Sequence, residues 1–338
     1  MKNAKRNTIF LLIICVIVTF FIMKDNFTEI LTCLISVKKR LVIVALLLIV
    51  AYWLLRALAL YIVVKRYNKK IKYKKMLHQI LITQFFNGIT PFASGGEPMQ
   101  IYMLKKSGIK VAQATNIIVQ EFIMYQIALI FIGLVVLILN AIFNFCSVDP
   151  ILFNFIILGF IINIGVGLIM IFVSFSKKFS KFLVNLGLKI GVKINLIKDV
   201  EKTTKIWNEK VEEYNESGTM LKENKNLFFT CILINFLALI VFYLIPFFVF
   251  LSLGHNVGVL EAIVSSAFIL IVGNFVPLPG GTVGTEAAFG EFFKKLLPVT
   301  VGTAVLNTGL IIWRGITLYL GILVGGIALG FFKGDAKK

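Results

Sequence analysis

The 338-residue chain is poor in acid, histidine and cysteine, and each shortage excludes a class of chemistry. Its aspartates, Asp25, Asp149, Asp199 and Asp335, lie apart between apolar runs. They form no cluster of the kind that lipid phosphotransferases use to hold metal. His78 and His255 are too few for a histidine-based metal site. Cys15, Cys33, Cys146 and Cys231 stand singly, without metal spacing or a disulfide framework, and read as small apolar packing residues. Neither G-x-S-x-G nor H-E-x-x-H occurs. GGTVG is not G-x-G-x-x-G and follows no strand, so a dinucleotide reading fails on context. No catalytic residue, metal or cofactor is expected.

Apolar residues are what the chain has in excess: 59% of it is hydrophobic and its mean hydropathy is +0.93. Several runs are long enough to cross a bilayer, which excludes an ordinary soluble domain. The net charge of +19 comes from Lys and Arg that lie mostly between those runs. That is the pattern of cytoplasmic positive charge and attraction to an anionic lipid surface; no nucleic-acid partner is expected. The fold class expected is an all-α multi-pass membrane protein, with about six spanning helices and two re-entrant half-helix hairpins.

In chain order, residues Thr8–Met23 read as an uncleaved first helix, since no A-x-A-like site follows. Asp25–Ser36 reads as a short interfacial segment. Spanning helices are expected at about Leu41–Val64, Val111–Leu139, Ile151–Phe175, Leu227–Leu253 (kinked at Pro246) and Val301–Phe332. The polar segment Lys177–Asn226 holds eleven Lys against seven Asp and Glu. It reads as an amphipathic helix on the cytoplasmic leaflet followed by a soluble helical hairpin. The basic cluster Lys65–Lys75 places its end of the second helix in the cytoplasm, and counting sides from there puts both termini inside. Lys38, Lys39, Arg40, Lys294 and Lys295 fall on the outer side and run against that count.

Two breaks interrupt the apolar pattern, NGITPFASGGE at Asn87–Glu97 and NFVPLPGGTVGTE at Asn274–Glu286. Pro and Gly do not propagate a helix, and unpaired backbone is tolerated in hydrocarbon only inside protein or beside a polar cavity. The flanking apolar arms are too short to span, so each reads as a re-entrant hairpin. Asn87, Pro91, Gly95, Gly96 and Glu97 match Asn274, Pro277, Gly280, Gly281 and Glu286 in order, with Pro279 and Gly284 also in the second break. By the side count one hairpin opens inward and the other outward. That predicts an inverted repeat, about 41–139 and 227–332 around a linker at 176–226, within a single domain.

An arginine in mid-membrane costs roughly 2.5–3.5 kcal/mol on insertion scales, so Arg56 and Arg314 need a purpose. Each serves either to fork onto a lipid phosphate or to pair internally with Glu121 or Glu286. Arg56 has the further option of snorkelling. Glu121 and Glu286 balance an Arg, bind a coupling cation or hold a cationic headgroup. Glu97 is either a helix cap or part of an anion site at a half-helix N-terminus. Asn87 and Asn274 are candidate substrate contacts, although with Asn235 and Asn307 they fit interhelical hydrogen bonding better.

At these residues the chain resembles the lysylphosphatidylglycerol synthase transmembrane region, the flippase-like domain of the multiple peptide resistance factor proteins. TPFASGGEPMQIYML and VPLPGGTVGTEAAF carry its two Gly/Pro signatures. QEFIMYQIAL resembles its Glu-Arg helix and IIWRGITLYL its Arg-bearing last helix. The likeness covers roughly residues 5–332. Gln100 and Phe122 depart from it, each standing where the family has Arg. The resemblance implies a lipid-translocating domain linked to antimicrobial peptide resistance, here without the fused aminoacyl-transferase domain of full-length relatives. The expected function is translocation of an anionic or aminoacylated phospholipid of the lysyl-phosphatidylglycerol kind, or of a related polyprenyl or glycolipid. The expected partners are that substrate, the anionic lipid surface and a separate lipid-modifying enzyme; an oligomer is compatible with the sequence. A phosphatidylglycerol lysyltransferase role with a synthase in trans, and an ion-coupled carrier of a soluble solute, stand as alternatives.

Overall fold

The computed structural model describes residues 27–145, 150–193, 199, 201, 203–209, 211–212 and 223–332. The helix expected at Thr8–Met23 lies outside them, as does much of the hairpin expected before Asn226. Among the described residues the chain is helical, with no strand. The order is α1 (Phe27–Ser36), α2 (Lys39–Tyr67), α3 (Tyr73–Ile89), a 3₁₀ turn (Pro91–Ala93), α4 (Gly96–Lys106), α5 (Val111–Phe143) and α6 (Pro150–Phe175). Then follow α7 (Lys177–Lys193), α8 (Lys225–Tyr243), α9 (Ile245–Ser252), α10 (Val259–Phe275) and a second 3₁₀ turn (Pro279–Gly281). The chain closes with α11 (Gly284–Leu296), α12 (Thr303–Arg314), a π-helical turn (Gly315–Tyr319) and α13 (Leu320–Gly330).

The segments Lys39–Tyr67, Val111–Phe143, Lys225–Ser252 and Thr303–Gly330 are each long and apolar enough to cross a bilayer. Together they make the chain an all-α membrane protein. Their outward faces suit lipid: Ile43, Leu47 and Leu54 on α2 and Phe131, Leu134 and Ile138 on α5 are exposed at helical spacing. Inward faces carry small residues such as Ala45 and Ala57 and fully buried Leu60, Val63 and Val64. The two helices α8 and α9 form one segment bent where Pro246 cannot donate to the helix ladder.

α2, α5 and α8 pack on one another as a central trio. Each helix–break–helix hairpin then leans on the far half of the chain. α3 of the first hairpin packs against α13, and α10 of the second packs against α5. The α3–α13 approach is close because glycines line it. A Cβ on Gly325 would lie 2.3 Å from the Leu81 carbonyl oxygen, and one on Gly88 2.5 Å from Ile322. Phe250 of α9 meets Phe289 and Phe293 of α11 at ring-centroid distances of 5.8 and 4.8 Å. Those rings anchor the second hairpin to the bundle.

Candidate functional site

The two 3₁₀ turns touch, so the breaks at Asn87–Glu97 and Asn274–Glu286 meet; Pro91–Ser94 are exposed at the meeting point and Pro279–Gly281 half-buried. They are built alike. Phe92 and Ala93 have φ of +53° and +52°; Gly280 and Gly281 have +64° and +63°. In the first turn Ser94 donates its hydroxyl to the Pro91 carbonyl at 2.9 Å; in the second Thr282 does the same to Pro279 at 2.9 Å. The next helices begin at Gly96 and Gly284. Position n of the first break therefore answers to n + 188 of the second, since 279 − 91 and 284 − 96 both give 188.

This register corrects the residue matching expected from sequence. Gly280–Gly281 answers to Phe92–Ala93, not to Gly95–Gly96, and Glu286 answers to Pro98, not to Glu97. Gly95 and Gly96 are needed for another reason. A Cβ on Gly96 would lie 2.1 Å from Asn87 Oδ1, and one on Gly95 2.7 Å from Thr90. Thr90 closes the turn by accepting from the Gly95 N–H at 2.9 Å and donating to the Phe86 carbonyl at 2.7 Å. Internal partners of this kind let irregular backbone survive in a membrane.

Left-handed backbone costs an L-residue roughly 1–2 kcal/mol and glycine almost nothing. Gly281→Ala would meet that cost and place its Cβ 2.8 Å from the Gly273 carbonyl oxygen. We expect it to destabilise the protein by at least ~2 kcal/mol. Ala93→Gly, at the matching position, is expected to stabilise by up to ~1 kcal/mol. Thermal unfolding in detergent checks both, and equal midpoints for Gly281→Ala and the unaltered chain would contradict the expectation.

Arg314, the last residue of α12, comes to rest beside the second break. Its Nε donates to Glu286 Oε1 at 2.8 Å and its Nη1 to the Gly280 carbonyl at 3.2 Å. Arg314 and Glu286 are 7% and 8% exposed, so the pair is withdrawn from solvent. Trp313 stacks on Phe289 at 4.9 Å and fixes the end of α12 against α11. The π-helical turn that follows widens the helix directly after Arg314.

Arg314 Nη2 is buried without a hydrogen-bond partner, and so are Asn87 Oδ1 and Trp313 Nε1. All three side chains line one cavity of about 180 Å³, between the breaks. Asn274 lines it too, with Tyr52 and Phe242 in contact at 5.1 Å. Here the two breaks, both asparagines and Arg314 come together. Tyr52, Phe242, Trp313 and Thr317 were not singled out from the sequence. For Trp313 and Thr317 a signal existed: they flank Arg314 on its own helix, at i − 1 and i + 3.

Arg56 and Glu121 form a second buried pair. Arg56 Nη1 lies 2.7 Å from Glu121 Oε1, and Nη2 donates to Oε2 at 3.3 Å. Nη1 also donates to Asn235 Oδ1, and the guanidinium lies 4.1 Å from the centre of the Tyr125 ring. One side chain of α2 is thereby tied to α5 and α8, so this pair sits within the central trio. Glu97 lies near enough to Arg56 and Glu121 to feel their charges, but the structure gives it no ion pair with either arginine. It is half-buried in the first turn of α4 and lines a further cavity, about 370 Å³. The rest of that lining is mostly apolar: Ile101, Ile118, Val119, Phe122 and Ile123, with Phe92 and Ala93 shared with the first cavity. Among the described residues no group of His, Cys, Asp or Glu could hold a metal ion.

Two comparisons bear on this arrangement. The chain is 27% identical over 307 residues to a UPF0104 membrane protein of Archaeoglobus fulgidus, covering 88% of this chain and 89% of that one. The model of the family described as "Lysylphosphatidylglycerol synthase TM region" matches residues 8–325, which include both breaks, both Arg–Glu pairs and the cavity between them. The chain belongs to the lysylphosphatidylglycerol synthase TM region family.

Proposed function

We propose that this chain is a flippase-like protein that carries an anionic or aminoacylated phospholipid, or a related lipid, across the membrane. The headgroup passes through the cavity where the breaks meet. The observation that carries this reading is Arg314, whose side chain lines the cavity and whose buried Nη2 has no hydrogen-bond partner. A phosphate oxygen is the partner a guanidinium fits best, and Glu286 holds this one in place through Nε. The apolar cavity beside Glu97, which shares Phe92 and Ala93 with the first as lining, suits a hydrocarbon tail. Glu97 lines that cavity and is placed to balance charge or to hold a cationic headgroup; Glu286 balances the charge of Arg314. Arg56 and Glu121 hold the central trio together and are not the phosphate site in this reading.

The pairing of elements supports an inverted repeat. α3 packs on the last long helix, as α10 packs on α5, and the two 3₁₀ turns and the helix starts after them share a spacing of 188. Re-entrant hairpins related in this way bring half-helix ends to the midplane and work by alternating access. The basic run Lys65–Lys75 would then face the cytoplasm.

The test is transfer of a panel of labelled lipids in proteoliposomes, with wild type and Thr317→Phe side by side. Thr317 lines the cavity, and a phenyl group there would fill much of it. Wild type is expected to move phosphate-bearing lipids, and Thr317→Phe at a rate at least tenfold lower. Equal rates would refute the route. Uptake of a soluble solute without lipid transfer would favour a carrier, and transfer of lysine from lysyl-tRNA to phosphatidylglycerol by the purified chain would favour a lysyltransferase.

A further inference from the structure

Away from the breaks, a second polar cavity of about 420 Å³ lies where the 68–72 loop meets the end of α4. Lys70, Lys72, Lys74 and Lys75 line it, with Asn68 and Ser107. It shares no lining residue with the cavity that holds Arg314. No carboxylate lines it, and no Asp or Glu occurs in the chain between Glu29 and Glu97.

The lysines project from ordered backbone. Asn68 Oδ1 accepts from the Lys70 N–H at 3.1 Å, and the Asn68 carbonyl from the Ile71 N–H at 3.2 Å. Ile71 is buried and pins the loop to the bundle. The Lys75 N–H donates to the Lys72 carbonyl at 3.0 Å. α3 begins here with no side-chain cap, so its positive end adds to the field of the lysines. A smaller cavity of about 190 Å³ adjoins, sharing Lys75 and Ser107 and walled by His78 and Phe332, whose rings stack at 6.3 Å.

We propose that this basic cavity binds a ligand carrying two or more phosphate groups, at a site separate from the translocation route. The charge count sets the valence. Lys70, Lys72 and Lys74 bring three positive charges to the lining beside Lys75, and one phosphate brings about −1.5 to −2, so a single phosphate leaves part of that charge unmet. Lysine acts as a point charge on a flexible stem, which suits phosphates at differing spacings. Two sources supply such a ligand. A diphosphatidyl lipid headgroup reaches it from the bilayer surface, in the manner of basic pockets between membrane helices. Free diphosphate reaches it from water.

Full-length protein purified in detergent tests this by native mass spectrometry with diphosphatidylglycerol and by calorimetry with inorganic pyrophosphate and phosphate. At least one diphosphate probe is expected to bind tenfold or more tightly than phosphate. Lys70→Gln/Lys72→Gln/Lys74→Gln is expected to weaken that binding at least tenfold, with an unchanged thermal midpoint. Lys177→Gln/Lys178→Gln/Lys181→Gln removes the same charge from exposed positions on α7 and is expected to change it less than twofold. Binding of the lipid alone assigns the site to a headgroup, and binding of pyrophosphate alone to a soluble anion. Equal losses in the two triple variants, or no preference for either diphosphate probe over phosphate, would overturn the proposal.

Discussion

Arg314→Ala is expected to abolish lipid translocation and to destabilise the protein by about 3–5 kcal/mol, because Glu286 would be left as a buried charge without its partner. The two effects have different origins. The loss of stability comes from the ion pair, and the loss of transport from removing the guanidinium that lines the cavity. Arg314→Lys separates them. It keeps one positive charge for Glu286, so less stability is lost. An ammonium cannot at once bond the carboxylate, reach the Gly280 carbonyl and present a further donor in a fixed fork, so transport still fails. Thermal unfolding and transfer rates in proteoliposomes read the two effects apart. A folded Arg314→Lys that transports at the wild-type rate would show that the fork is not needed.

Arg56→Ala is expected to cost a similar ~3–5 kcal/mol, for a reason confined to the fold. It removes the residue that ties α2 to Glu121 of α5 and Asn235 of α8, and leaves Glu121 buried without its counter-charge. Replacing both partners with apolar residues of like volume, Arg56→Met with Glu121→Leu, is expected to recover most of that stability. Transport should recover with it. The double variant thus decides between the two roles read for Arg56 from the sequence. Recovered transport marks an internal pair, and a stable but inactive double variant marks a ligand contact.

Much of this architecture was legible because membrane helices announce themselves. Leu41–Val64 was expected where Lys39–Tyr67 is helical, and Val111–Leu139 where the helix runs to Phe143. Lys39–Tyr67 extends at both ends because Lys and Arg continue a helix without penalty, so the apolar run alone understates its length. The breaks were visible for the opposite reason: Pro and Gly fail in both spans. Their register was not. Matching glycine pairs by identity aligned Gly95–Gly96 with Gly280–Gly281. The shared property is left-handed backbone, which the first break carries on Phe92 and Ala93. Side chains so rarely sit there that no sequence pattern points to them.

The charged pairs were half legible. Glu286, on the second break, was a candidate counter-charge for Arg314, 28 positions later, and the structure joins them; nothing in the chain singled out Glu121 for Arg56, 65 positions earlier. That choice is made by the packing of α11 on α12 and of α2 on α5. The cavity was less legible still. Its walls come from α2, α3, α8, α10, both breaks and the last long helix, and only Asn87, Asn274, Gly280, Gly281 and Arg314 carried a signal of their own.

The central claim is that the cavity between the breaks passes a lipid headgroup held by Arg314. The most direct measurement is lipid transfer by Arg314→Met with Glu286→Leu, which removes the buried pair without stranding either charge. The account predicts a protein that unfolds near the wild-type temperature and transfers phosphate-bearing lipid at least a hundredfold more slowly. A double variant that is folded and transfers lipid at the wild-type rate would contradict it.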